Sequence, residues 1–312
     1  MYRYGLLKPV RVADAEDTNR LLLGPSTLGI EVTEAELAVR CGLGNIDPQH
    51  GASASPETAI EACLTVELPP PGSLLVTIRA DADAFGAMAL LTARADGCVP
   101  TDAMVERIGE IARMDSFAHG PWPGVRPLPS TVEAMANGVG GSAKLTALAA
   151  ATADGAVDTA ARVNLMRRWL ETGALPQSLV DGVCSRCANL VNGLRSGEIR
   201  VSTVSNGQIA LVEGKQPAAL RLGYFLAPVV IALNPANRLG DGAPHRKFTV
   251  CQYQEGYVAL RQAAADLASR EPGWGGSPTI IGSPQGVGST LSIDAVVAVV
   301  ASWLLAAPDE SG

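Results

Sequence analysis

The sequence predicts an α/β protein of two domains: a larger one with a parallel β-sheet flanked by helices, and a smaller α/β C-terminal one, with an active-site cleft between them. Three observations carry this expectation. Residues 73–91, SLLVTIRADADAFGAMALL, begin as the unbroken apolar run of a buried parallel strand, stop at Asp81-Ala82-Asp83 and resume with helical spacing. Residues 130–197 read as helix throughout, with breaks at 137–141 and at Asp154-Gly155. After Gly197 the pattern changes, and EIRVSTVSNGQIALVEG reads as two strands meeting at Asn206-Gly207, a strong hairpin signal. A domain boundary is expected at that change. Residues 1–196 then form the first domain, with an N-terminal extension and a helical connector over 177–196, and residues 197–312 form the second.

Taken in order, residues 1–72 read as the extension, with two short helices. Thr33-Glu34-Ala35-Glu36 has capping-box form and leads into LAVRCGL, which Gly42 and Gly44 stop. Ser55-Pro56 caps and starts a second helix through Leu64. Between them, Asp47 and His50 either offer two ligands to a metal or belong to a surface turn shaped by Pro48. Three prolines, Pro69 to Pro71, deliver the chain into the central strand. Ligands of open α/β sheets gather at the carboxyl ends of strands, so Asp81 and Asp83 stand where substrate or metal is met. The plainer alternative is a connecting loop in which one aspartate caps the next helix. The helix DAMVERIGEIARM follows and ends in Asp115-Ser-Phe-Ala-His119-Gly-Pro, a stretch too rich in Gly and Pro to be regular. It places a histidine four residues after an aspartate.

The second half continues with a helix over 217–226, the strand VVIAL, the basic trio His245-Arg246-Lys247, the strand FTVCQY and a helix over 257–270. A glycine-rich stretch, GWGGSPT at 273–279, leads to IIGSPQGVGS and a closing amphipathic helix. Bare backbone N–H groups at Gly275, Gly276 and Ser277 suit an anion, with Arg246 and Lys247 as charge partners; the alternative is a plain loop. No lysine of a nucleotide-triphosphate loop accompanies these glycines.

Composition narrows the function. The chain has 312 residues, 47% of them apolar and only 4% aromatic, so its core is expected to be aliphatic. A net charge of -7 argues against a long nucleic-acid partner, which needs a basic stripe to displace counterions. No run has the length to span a bilayer without charge, so no membrane partner is expected. Six cysteines without a preceding secretory signal suggest reduced thiols and a cytoplasmic location. The lone Cys184-Ser-Arg-Cys187 pair lacks two further zinc ligands. NGVGGSA at 137–143 follows no strand, which sets aside a dinucleotide fingerprint, and the absence of GxSxG sets aside a serine elbow.

A strand ending in Asp81-Ala-Asp83-Ala-Phe-Gly86, a helical connector and a C-terminal strand, helix and GWGGSP loop together resemble the DHH phosphoesterase family with its DHHA1-type C-terminal domain. The resemblance covers 74–91 and 248–281. Thr77 and Ser277 stand where the family carries histidines, and the DHH tripeptide is absent. The resemblance implies Mn²⁺ or Mg²⁺ at the strand ends, with Asp81 and Asp83 matching the first motif and Gly275 and Gly276 the substrate loop. On that basis Asp81, Asp83, Asp115, His119 and His50 are the expected metal ligands. His119 is ligand or general acid, and Arg246, Lys247, Gly275, Gly276 and Ser277 hold the substrate. The expected activity is metal-dependent hydrolysis of a small phosphorylated or nucleotide-like substrate. The alternative is a protein of the same fold whose reduced metal site serves small-molecule binding or another reaction. Expected partners are the small-molecule substrate and, at most, a second copy in a homodimer.

Overall fold

The apolar run at 74–77 is a strand at the middle of a parallel sheet. The computed structural model describes residues 1–10, 14–48, 57–115, 122–138, 140–238, 243–284 and 286–305. Its first sheet contains β1 (Arg3–Leu6), β2 (Thr27–Ile30), β3 (Asn45–Ile46) and β4 (Leu74–Thr77) in the order β1-β4-β2-β3, every pair parallel. The chain divides into two compact units of similar length, Met1–Ser116 with Lys144–Val180 and Phe117–Ala143 with Asp181–Gly312. That division falls within the segment expected as a connector over 177–196, rather than at its end.

The first 72 residues are no appendage. They supply three of the four strands of this sheet. Strands of two to four residues, one of them the glycine-containing TLGI, leave too short a pattern to stand out. They hold only because β4 pairs with β1 on one side and β2 on the other.

Helices α1 (Ala15–Leu22), α2 (Ala35–Ala38), α3 (Ala59–Ala62), α4 (Ala82–Ala95) and α5 (Asp102–Asp115) connect and follow these strands. Alternation along β4 separates two cores. Leu75 joins Ile60, Phe85, Met88 and Met104, while Val76 joins Leu7, Val32 and Leu37. A strand covered on both faces has no use for polar residues, which explains its unbroken apolar pattern. The second short helix starts at Thr58, whose hydroxyl and backbone form a capping box with Glu61. Ser55 and Pro56 lie outside the described residues.

Every residue from Ala82 to Ala93 on α4 is buried. Small side chains allow this: a Cβ on Gly86 would stand 2.6 Å from Ile60 Cδ1, so α3 lies directly on the glycine. The helical stretch then comprises α6 (Val132–Gly138), α7 (Gly140–Ala153), α8 (Thr159–Thr172) and α9 (Gln177–Ser196). Asp158 caps α8 through the N–H groups of Ala160 and Ala161, and Gly173 ends it in the left-handed conformation.

The second unit holds a mixed sheet of β5 (Arg200–Val204), β6 (Ile209–Glu213), β7 (Val229–Asn237), β8 (His245–Gln252), β9 (Gly275–Gly276) and β10 (Ile280–Gly282). Its order is β5-β6-β7-β8-β10-β9, with only β6 and β7 parallel. The Asn206-Gly207 hairpin forms as expected between β5 and β6. The helix expected over 217–226 is of the 3-10 type, Pro217–Phe225. Helix α10 (Leu260–Arg270) starts three residues later than expected, because the Gln252 side chain accepts from the Tyr257 and Val258 N–H groups and Val258 bridges Leu304. Helix α11 (Ile293–Ser302), capped by Ser292, closes a core with Phe248, Val250, Leu267 and Trp274. Among the described residues no helix is long and apolar enough to cross a membrane.

Candidate metal centre

Carboxylates from three separate elements of the first unit converge. Ligand oxygens of Glu31, Asp83 and Asp115 lie within 4.8 Å of one another. Glu31 is the first residue beyond β2, Asp83 lies in the first turn of α4 after β4, and Asp115 ends α5. β2 and β4 are adjacent, so two of the three acids stand beyond the carboxyl ends of neighbouring parallel strands, where open α/β sheets gather ligands.

Backbone groups fix these side chains. Asp83 Oδ2 accepts from the Ala59 N–H at 2.9 Å and Oδ1 from the Ile60 N–H at 3.1 Å, at the start of α3. Glu31 has φ 49°, a left-handed conformation uncommon outside glycine, and its N–H donates to the Ile46 carbonyl. Arg79 donates from Nε to Asp81 Oδ2 at 2.9 Å and stands 3.7 Å from Glu31 Oε1. Asp81 itself accepts from the Ala84 N–H and is the N-cap of α4. Thr77 uses its hydroxyl to accept from the Arg79 N–H and donate to the Arg79 carbonyl.

Electrostatics make the cluster unusual. Glu31 is 1% exposed, and its Oε2 is buried with no hydrogen-bond partner. Desolvation, then Asp81 and Asp83, push the Glu31 carboxyl far above the ordinary range against the pull of Arg79. Desolvation, then Asp115, push Asp83 up as well, although the Ile60 and Ala59 N–H groups pull it down. Arg79 faces both Glu31 and Asp81, so one guanidinium is shared between two carboxylates. Buried acids of this kind hold protons or hold a cation. The donor set suits a hard divalent ion, since every ligand atom is a carboxylate oxygen, and Glu31 also carries a buried oxygen without a hydrogen bond.

Of the residues expected from sequence, the structure thus brings Asp83 and Asp115 together and sets Asp81 beside them through Arg79. His119 and His50 lie outside the described residues. Glu31 and Arg79 were not singled out. An available signal existed for Glu31: LGIE, like LLVTIRAD, is an apolar run that ends on an acid.

The residues expected to hold substrate belong to the second unit. Arg246 donates to the Leu291 carbonyl and lies 4.8 Å over the Phe248 ring. Lys247 donates to the Ser283 carbonyl and lines a cavity of about 120 Å³ with Gln216, Asn234 and Asn237. Gly275 and Gly276 form β9, and the backbone N–H of Ser277 donates to Ile280 while its hydroxyl accepts from the Thr279 and Ile280 N–H groups. The Ser277 amide is therefore used by the chain itself. A larger cavity in the first unit, lined by Tyr2, Leu43, Ile46 and Pro69 to Pro71, includes none of the acidic cluster.

All six cysteines are free thiols. Burial pushes the Cys251 thiol up to about 12, so it makes a poor nucleophile. Compared with known proteins, the chain matches no family model and no curated protein.

Proposed function

We propose that the first unit binds one divalent cation, Mn²⁺ or Mg²⁺, through Glu31, Asp83 and Asp115, and that the protein is a metal-dependent hydrolase of a small phosphorylated substrate. The observation that carries the reading is the buried Glu31 carboxylate, with an orphaned Oε2, clustered with Asp83 and Asp115. The likeness of residues 74–91 and 248–281 to DHH phosphoesterases supports the choice of reaction. A bound divalent ion supplies Lewis-acid stabilisation of phosphate oxygens and a more acidic water. The chain's own part is positional. The α3 amides hold Asp83, the start of α4 holds Asp81, and Asp81 holds Arg79, whose partly exposed guanidinium is suited to meet an anionic substrate at the edge of the site. The carboxylate set favours a single hard ion. His119, four residues beyond Asp115, is the general acid in this reading.

The test is calorimetric titration of the metal-free protein with Mn²⁺, with phosphate release from a small phosphate ester measured in parallel. Glu31→Gln and Asp83→Asn are each expected to weaken Mn²⁺ binding about tenfold or more, and to lower turnover with it. Mn²⁺ binding unchanged in both variants removes the metal reading. Metal binding without ester hydrolysis removes the phosphoesterase reading and leaves the ion site.

A further inference from the structure

The cavity lined by Tyr2, Leu43, Ile46 and Pro69 to Pro71 has a volume of about 670 Å³. Small-molecule sites usually measure about 300–1,000 Å³. Tyr2 precedes β1, Gly44 precedes β3, Pro69 to Pro71 precede β4, and Leu28 is the second residue of β2. All four strands run parallel, so the cavity lies at their amino ends. Glu31 and Asp83 stand beyond the carboxyl ends, at the other end of the same sheet.

One wall of the cavity, residues 66–71, is held by hydrogen bonds from three directions. Arg94 Nη1, on α4, donates to the Cys63 and Val66 carbonyls at 2.7 and 2.9 Å. The Tyr2 hydroxyl donates to the Pro69 carbonyl at 2.9 Å, and the Ser73 N–H and hydroxyl both donate to the Pro70 carbonyl. Three successive prolines with fixed φ stiffen the same segment. The cavity is therefore preformed rather than a gap that the chain can close. Tyr2, Leu28 and Pro69 are buried and belong to its floor, whereas Gly44, Glu67, Pro70, Pro71 and Ala95 are exposed and belong to its mouth.

The lining selects the chemistry of an occupant. Leu28, Leu43, Ile46, Val66 and Leu68 make the interior apolar. Prolines have no N–H, so the wall of Pro69 to Pro71 brings carbonyl acceptors without donors of its own. The Tyr2 O–H is committed to Pro69, and the Asn45 carboxamide bonds both the N–H and the carbonyl of Val32. Glu67, at the mouth, is the only charged side chain among the described residues that line the cavity. We propose that this cavity binds a small, mainly apolar molecule that carries an amine. The apolar body lies against the leucines and prolines, where it displaces water, and the ammonium stays at the mouth beside Glu67.

The site is independent of the metal reading, and the experiment keeps it so. In EDTA at constant ionic strength, 4-phenylbutylamine and, separately, 4-phenylbutyrate are titrated into the full-length protein, followed by calorimetry and by the thermal unfolding midpoint. Wild type is expected to bind the amine in the millimolar range or tighter, and the carboxylate about fivefold more weakly or worse. Ala95→Phe, at an exposed helix end, fills the mouth and is expected to weaken amine binding about tenfold or more. Glu67→Gln is expected to bring the two affinities together. An amine held by the acidic cluster instead would bind Ala95→Phe as it binds wild type. If Ala95→Phe does not fold, Glu67→Gln decides. Absence of amine binding by wild type, equal binding of the carboxylate, wild-type affinity in Ala95→Phe, or an unchanged amine preference in Glu67→Gln overturns the proposal.

Discussion

Glu31 carries two costs at once, a left-handed backbone and a buried carboxylate with an orphaned oxygen. Glutamine keeps the shape and removes the charge, and its amide donates to the neighbouring carboxylates. In EDTA near neutral pH, Glu31→Gln is therefore expected to be more stable than wild type by about 1–3 kcal/mol, read from the urea midpoint. In Mn²⁺ the order is expected to reverse, because the variant has lost a ligand. A variant less stable than wild type under both conditions would mark Glu31 as a structural residue. Asp83 and Asp115 were legible because each stands at the abrupt end of an apolar or helical run. Glu31 was not, since no local spacing links it to acids 52 and 84 positions further along. Asp81 shows the limit of the same reasoning, as capping and site chemistry call for one residue type at one kind of place.

Glycine at 276 is set by the hairpin of β9 and β10. It has φ 152°, and a Cβ there would stand 2.1 Å from the Ile280 carbonyl oxygen, whereas at Gly275 nothing lies within 4 Å. Gly276→Ala is expected to destabilise the protein by about 3 kcal/mol, and Gly275→Ala by much less, in denaturant titrations of the two variants. Equal effects would mean that the hairpin does not depend on that close approach. Elements with strong local grammar, such as the Asn206-Gly207 hairpin and the largely apolar α4, were readable from sequence. β1, β2 and β3 were not, because two to four residues carry no period, and their pairing with β4 is what makes them strands. The segment 217–225 was readable as helical but not as 3-10, a difference that arises where it connects the parallel strands β6 and β7.

At the scale of the molecule, acid stability of the second unit rests partly on Glu271. This carboxylate accepts from Trp274 Nε1, Ser289 Oγ, Thr290 N and Thr290 Oγ1, tying the end of α10 to the segment before α11. Burial alone would raise its carboxyl, but the Thr290 N–H and the Ser289, Trp274 and Thr290 side chains hold it below the ordinary 4.5. A folded-state value below the unfolded one adds stability above pH 4.5 that is lost as pH falls through the folded value. Glu271→Gln is thus expected to cost about 1–3 kcal/mol at pH 7, and its deficit to narrow as pH drops below 4.5. A deficit constant from pH 7 to about pH 3 would contradict this. The sequence by itself determined the α/β class, the main helices, the hairpin after Gly197 and two of the three clustered acids, because periodicity and turn chemistry act between near neighbours. Only the tertiary structure decided that the first 72 residues supply three of the four strands of their sheet and that Glu31 joins Asp83 and Asp115. Such meetings depend on strand order and helix packing, which arise from burial summed over the whole chain and leave no local pattern.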